Sequence, residues 1–239
     1  MRSGRQRRRG LTLMEVLVAI SLLSLLSVGI LTALRMGVNA WEKTNSRLML
    51  DRRIATANTI LHAELEGIFP ALGEVERPPV RGTFTGLLFQ GESQSLRFVT
   101  TYSLEGGPRG GLRLTEIQVV QAERGKRVLL NELFYDGPRA AGRVVTGLGE
   151  VPETRQLRFV FAPIQARPSS FVIADELENG AFSYLLQDNP AAPPRWLPAW
   201  PRADELPVAV SIALVPRPDA TGLLPVTVTV PIRATLMPL

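Results

Sequence analysis

Residues 7–34 read RRRGLTLMEVLVAISLLSLLSVGILTAL, three arginines and a glycine followed by a run in which Glu15 is the only charged side chain before Arg35. From Val16 to Leu34 there is neither charge nor proline. As a helix rising about 1.5 Å per residue, the stretch 11–34 is about 36 Å long, enough to cross a hydrocarbon core of about 30 Å with some tilt. A secretory signal peptide has a shorter apolar core that ends in a small-residue cleavage site. None closes this run, so the segment is expected to stay in the protein as a transmembrane helix. Arg2, Arg5, Arg7, Arg8 and Arg9 stand on its N-terminal side. Such a cluster before a span is a topology signal: it holds that end in the cytoplasm and sends the rest of the chain to the far side of the inner membrane.

The helix is not expected to stop at the membrane surface, because no proline occurs before Pro70. Leu34, Val38, Trp41, Leu48, Leu50, Ile54, Ala57, Leu61, Leu65, Ile68 and Leu72 step mainly by three and four, with polar residues between them. The spacing predicts an amphipathic second half over 35–69. From Leu11 to Phe69 the helix would measure about 85–90 Å, far beyond a globular average and in need of a special reason. Gly29 and Gly37 are the expected points of bending.

Composition narrows the function. The 239 residues hold 27 Lys and Arg against 22 Asp and Glu. Setting aside the five leader arginines leaves 22 basic residues against 22 acidic ones, so the excess belongs to the leader and no nucleic-acid partner is implied for the folded body. With no cysteine there is neither a disulfide nor a thiolate nucleophile nor a cysteine-type zinc site. A single histidine, His62, makes a histidine-rich metal centre impossible and leaves one candidate imidazole base. No cofactor or metal is expected.

After Pro70 short β-branched and apolar runs alternate with Gly and Pro clusters. Strands are predicted at 96–102, 112–120, 128–135, 157–161, 181–186, 208–214 and 226–235, with loops at 106–111, 136–142, 166–170 and 188–194. The last two strands alternate apolar with small or polar residues, so each should bury one face. Pro231 points to a sheet edge or a strand end.

The junction RRRGLTLMEVLVAISLL resembles the type III signal of type IV pilins and of type II secretion pseudopilins. In that family a prepilin peptidase cuts after the glycine on the cytoplasmic face and methylates the new amine. The resemblance places the cut between Gly10 and Leu11 and makes Glu15 the fifth mature residue, where the family carries its intramembrane carboxylate. Leucine after the cut departs from the more usual phenylalanine. A carboxylate in lipid is costly and normally has a partner; the resemblance implies the N-terminal ammonium of a neighbouring subunit, paired as the subunit enters a filament. The blander reading is an acid favoured by the helix dipole.

Within pilin-like proteins the chain is similar to the J-type minor pseudopilins, on LMLDRRIATANTILHAELEGI (48–68), QSLRFVTT (94–101) and FSYLLQDNPAAPPRWLPAWPRADELPVAVSIAL (182–214). The insert around 76–86 and the extension beyond Leu214 depart from that class. The presence of Glu15 weighs against the K-type tip subunit, which typically lacks the acid. The resemblance implies an α+β pilin-like fold: a cleaved leader 1–10, a transmembrane helix 11–34, its periplasmic continuation 35–69, and a β-rich periplasmic domain 70–239. It also implies partners: prepilin peptidase, the major pseudopilin and the I-type and K-type minor pseudopilins.

Sharper and blander readings stand side by side at four further places. His62, near Glu64 and Glu66, is a catalytic base or an ordinary surface histidine. Asp175, Glu176, Glu178, Asn179 and Gly180 offer oxygen ligands for calcium, without the spacing of an EF-hand loop, or a solvated turn before a strand. Trp196 and Trp200 form a partner-binding patch or a loop folded on its own sheet. Val38 and Trp41 are candidate partner contacts. The function expected is that of a non-enzymatic subunit of a secretion pseudopilus, against a minor pilin of a type IV pilus or a membrane-anchored periplasmic enzyme.

Overall fold

More than fifty positions free of proline leave the backbone one economical way to satisfy its own amides, and they form a single helix, α1 (Leu13–Glu66). The computed structural model describes residues 12–76, 82–106, 110–151, 156–188, 192–219 and 224–233, with the side chains of 43–54 excepted. The chain divides into two compact units, Met1–Leu50 and Asp51–Leu239. The described part of the first is helix from Leu13 onward.

In the second unit the last turns of α1 bury Ala57, Leu61 and Leu65, spaced by four so that they share one face. Leu48, Leu50 and Ile54 of the expected stripe lie outside the described side chains. The helix ends at Glu66, three residues short of the boundary that its periodicity predicts. Strand β1 (Ile68–Phe69) follows at once and pairs with Thr100 and Val99. The sheet itself ends the helix. Thr100 Oγ1 donates to Glu64 O at 3.2 Å and the Thr101 amide donates to Gly67 O at 2.9 Å, satisfying carbonyls that a helix end leaves open. A Cβ on Gly67 would stand 2.4 Å from Thr100 Oγ1, so only glycine admits this close approach.

The β-rich unit continues with β2 (Leu72–Glu76), β3 (Thr83–Leu87), β4 (Gln90–Gly91), β5 (Ser95–Thr100), β6 (Arg113–Ala122) and β7 (Gly125–Phe134). After a 3-10 turn at Pro138–Arg143 come β8 (Val145–Glu150), β9 (Leu157–Phe161), β10 (Phe171–Leu186), β11 (Arg195–Leu197), β12 (Ala209–Pro216) and β13 (Val226–Pro231). Among the described residues the main sheet runs β1-β5-β6-β7-β10-β12-β13, with β4 on β5 and β11 on β10, and every pairing is antiparallel. Two hairpins stand apart from it, β2–β3 and β8–β9. The fold is α+β and pilin-like: a long, apolar N-terminal helix followed by an antiparallel β-sheet domain.

Sheet pleating sorts alternate residues to two faces, and both are covered at the centre. Leu96, Phe98, Ile117 and Leu130 join Leu61 and Leu65 in the larger core. Val99 and Leu114 point the other way and pack with Ala71, Leu88, Ala141, Val144 and Phe159. The second face also carries a transverse polar row, because Gln90 on β4 stands opposite Arg97, Arg97 opposite Glu116 and Glu116 opposite Asn131. Arg97 and Glu116 are buried and share two hydrogen bonds, Nε at 2.9 Å and Nη2 at 2.7 Å from one carboxylate oxygen. The row fastens the β9–β10 connection: Arg97 Nη2 donates to Ala162 O at 3.0 Å and Asn131 Nδ2 to Gln165 O at 2.9 Å.

Strand β13 alternates as expected, burying Val228 and Val230, and Pro231 is both its last residue and on a sheet edge. The expected strand 226–235 extends past that point, and 234–235 lie outside the described residues. Strand β12, by contrast, is buried on both faces from Ala209 to Ile212. Ser211 is accommodated on its second face by a 2.8 Å hydrogen bond with Thr229.

Candidate functional site

The start of α1 explains why Thr and Glu stand three apart. Thr12 precedes the first helical residue, and the Glu15 amide donates both to Thr12 O at 3.0 Å and to Thr12 Oγ1 at 3.3 Å. This is the N-cap half of a capping box, and Glu15 lies in the first turn, where the helix dipole favours a negative charge. The T-x-x-E spacing carried that signal in the sequence. Gly10 and Leu11, the expected cleavage site, lie outside the described residues, as do the leader arginines.

From Leu13 to Glu42 the helix is long and apolar enough to cross a membrane. Its hydroxyls do not spoil that. Ser21, Ser24, Ser27 and Thr32 each donate to the carbonyl four residues back, at 2.8 Å, so none asks lipid for a partner. Gly29 and Gly37, the expected bending points, lie within an unbroken helix, and a Cβ on either would meet nothing within 4 Å. Val38 is 50% exposed and Trp41 75%. An apolar side chain as large as Trp41 left open at the end of such a run is free for lipid or for another chain.

The tryptophan pair is split. Trp196 on β11 is exposed, but Trp200 is buried in its own domain: its amide donates to Gly91 O and its Nε1–H to Glu205 O, each at 2.8 Å. Trp200 is therefore not part of an exposed patch with Trp196. It pins the segment before β12 onto β4, beside the fully buried Tyr184, whose hydroxyl donates to Glu92 O at 2.8 Å.

The acidic stretch 175–180 is not a turn before a strand; it lies inside β10, at a bulge where Glu176 has φ 55°. Its acids face basic residues just before and at the start of β7. Asp175 accepts from Arg127 at 2.6 Å, Glu176 from Arg124 at 3.4 Å and the Asn179 side chain from Lys126 at 2.8 Å. One side-chain oxygen of each of Asp175, Glu176 and Asn179 is thus engaged in cross-strand pairing. His62 is exposed, with Nδ1 3.5 Å from Glu66 of the same helix.

One cleft of about 390 Å³ lies between β9, β4 and the Ala199–Ala203 segment, lined among others by Phe89, Gln90, Glu92, Arg158, Phe159 and Trp200. Among the described residues its lining holds no serine, threonine, histidine or lysine, and one carboxylate, Glu92, which is tied to Gln90 at 2.6 Å and Ser95 at 3.1 Å. The pairing of nucleophile and base that covalent catalysis needs is not assembled there.

Residues 5–31 match the prokaryotic N-terminal methylation motif, which marks pilin and pseudopilin precursors. The match takes in Gly10, Leu11 and Glu15 and more than half of the apolar span. No curated protein matches the chain. The motif and the apolar helix beside it fit membrane anchoring of a pilin-like chain.

Proposed function

We propose that the chain is a minor pseudopilin of the J type, a structural subunit that joins the periplasmic pseudopilus of a type II secretion system near its tip. The observation that carries this reading is the coincidence, in one chain, of the methylation motif at 5–31, a charge-free helix long enough to span the bilayer, and a β-rich domain built on the end of that same helix. The leader arginines hold the N-terminus in the cytoplasm, prepilin peptidase removes residues 1–10, and the domain after the span lies in the periplasm. Assembly then gives the apolar helix what a monomer cannot: once out of lipid, its all-round apolar surface is covered only by the helices of neighbouring subunits. No chemistry is asked of the chain, and no cofactor.

Mass spectrometry of the protein purified from membranes tests the first step. The mature chain is expected to begin at N-methylated Leu11, and an intact Met1 or a cut beyond residue 30 would refute the reading.

Glu15 tests the second. In assembly its carboxylate is met by the methylated ammonium of an adjacent subunit, whereas in the monomer it serves only the helix start. Glu15→Leu is therefore expected to be processed normally but to be at least tenfold under-represented in sheared filaments. Equal incorporation would leave Glu15 with its helix-start role alone.

A further inference from the structure

Glu64 stands on the last turn of α1, on the same face as Leu61 and Leu65, and is fully buried. One carboxyl oxygen, Oε2, lies 3.3 Å from Thr115 Oγ1; the other, Oε1, has no hydrogen-bond partner. Thr115 on β6 stands directly opposite Glu132 on β7, so the buried acid looks out over a second one. Glu132 accepts from Ser103 Oγ at 2.9 Å and from the Leu104 amide, while Glu64 has one hydroxyl. Of the two carboxyls, Glu64 is the one whose surroundings call for a proton.

Among the described residues, the other groups around it do not supply a counter-charge. From β5 the neighbours are Phe98, opposite Thr115, and the Thr100 hydroxyl, which is turned to Glu64 O. Arg113, two residues along β6, is directed to Ser103 Oγ at 3.4 Å and stacks over the Phe134 ring at 5.0 Å. His62 and Glu66, on the same helix, pair with each other at the surface. Burial first, and the Glu132 charge second, push the Glu64 pKa up to about 8, with the Thr115 hydrogen bond opposing them.

We propose that Glu64 is a proton-operated latch between the end of α1 and the sheet, closed while its carboxyl is neutral and loosened when the proton leaves. The contacts that end the helix share this turn: Thr100 holds the Glu64 carbonyl and Thr101 holds that of Gly67. Glu132 in turn holds the segment after β5 through Ser103 and Leu104. Charge on Glu64 thus pushes apart the two groups that clamp helix end and loop onto one sheet face.

The sign of the linkage is fixed by the direction of the shift. The folded-state pKa of about 8 lies above the ordinary 4.5, so the folded chain binds more protons than the unfolded one between those values. Stability is therefore greatest at the acid end of that window, falls as pH climbs toward 8, and falls no further on this account above it.

Thermal unfolding of the full chain in detergent micelles, followed by circular dichroism from pH 5 to 9, tests this. The wild-type midpoint is expected to drop by about 10 °C across the window, while Glu64→Gln, which keeps the shape and cannot ionise, stays level there. Parallel profiles for the two proteins would overturn the latch. Should the variant not fold, hydrogen exchange of the wild type decides. The amides of 61–67 are expected to open at least tenfold more at pH 9 than at pH 7 after correction for intrinsic rates, and equal protection would overturn it.

Discussion

Glu116→Ala is expected to destabilise the β-rich domain by about 3–5 kcal/mol, because it strips the partner from a buried guanidinium rather than removing a surface contact. Arg97 and Glu116 side chains are only 1% and 2% exposed. Burial pulls the Arg97 pKa down and the Glu116 charge and hydrogen bond push it back, so without Glu116 burial is opposed by the lesser pull of Glu92, itself countered by Arg167. Gln90 Oε1 at 2.6 Å, Ala162 O at 3.0 Å and the Phe161 ring at 5.1 Å would still face the cation, but none carries a charge. Asn131 would lose one acceptor as well, at 3.1 Å. Taking both charges away is a different experiment. Arg97→Met with Glu116→Leu leaves no buried charge orphaned, Arg167 at 3.7 Å from Glu116 being partly exposed, and is expected to recover most of the loss, since a buried ion pair often contributes little net stability over apolar groups of similar size. Chemical denaturation of the full chain in detergent measures both. A single variant within 1 kcal/mol of the wild type, or a double variant as unstable as the single one, would show that the row is not the fastening it is argued to be.

The register that builds this row also marks where local reading of the sequence stops. RLTEIQVV and LRFVTT read as strands from their β-branched and apolar residues, yet nothing within either segment says that Arg97 will stand opposite Glu116. Pairing depends on register between strands, which turn geometry and the whole sheet set. The helix end shows the same limit. Ile68 continues the step from Leu61 and Leu65, so periodicity alone extends the helix through it. What stops α1 is tertiary: Thr100 at the end of β5 and Thr101 just after it, which reach the carbonyls of Glu64 and Gly67 at the helix end.

Strands carrying glycine or charge escaped for a related reason. TFTGL and VTGLGE have too few apolar positions to stand out, but β3 and β8 each have a hairpin partner. The acidic stretch 175–180 reads as a solvated turn until Arg124, just before β7, and Lys126 and Arg127 on it stand across from it. The N-terminal site was far more legible, since a basic leader, a glycine and a lone acid ahead of a charge-free run are all local features. The tryptophans sit between these cases. Their spacing was plain, but whether each faced solvent or core depended on where β4 lay.

One helix carrying two kinds of apolar surface gives the sharpest separation of folding from assembly. Leu65 is completely buried in the domain's own core, whereas Trp41 is 75% exposed and Val38 50%. Leu65→Ala removes buried methyl groups and leaves a cavity between helix and sheet, and it is expected to cost about 2–5 kcal/mol of stability, read as a midpoint lower by several degrees. Filament entry should fall only as far as folding does. Val38→Asp combined with Trp41→Asp is expected to do the reverse. Thermal unfolding of the β-rich domain should move by less than about 0.5 kcal/mol, because these side chains contribute nothing to its core. The variant should still fractionate with membranes, since the run from Val16 to Leu34 is untouched. Binding to the partners proposed for this chain, the I-type and K-type minor pseudopilins, measured by calorimetry on the detergent-solubilised full chain, should weaken by two orders of magnitude or more, about 3 kcal/mol, as expected when an unpaired charge is forced into an interface. Unchanged binding with unchanged stability would show that this face meets only lipid, and the partner surface would then have to be sought on the β-rich domain, where Trp196 is one exposed aromatic to replace next.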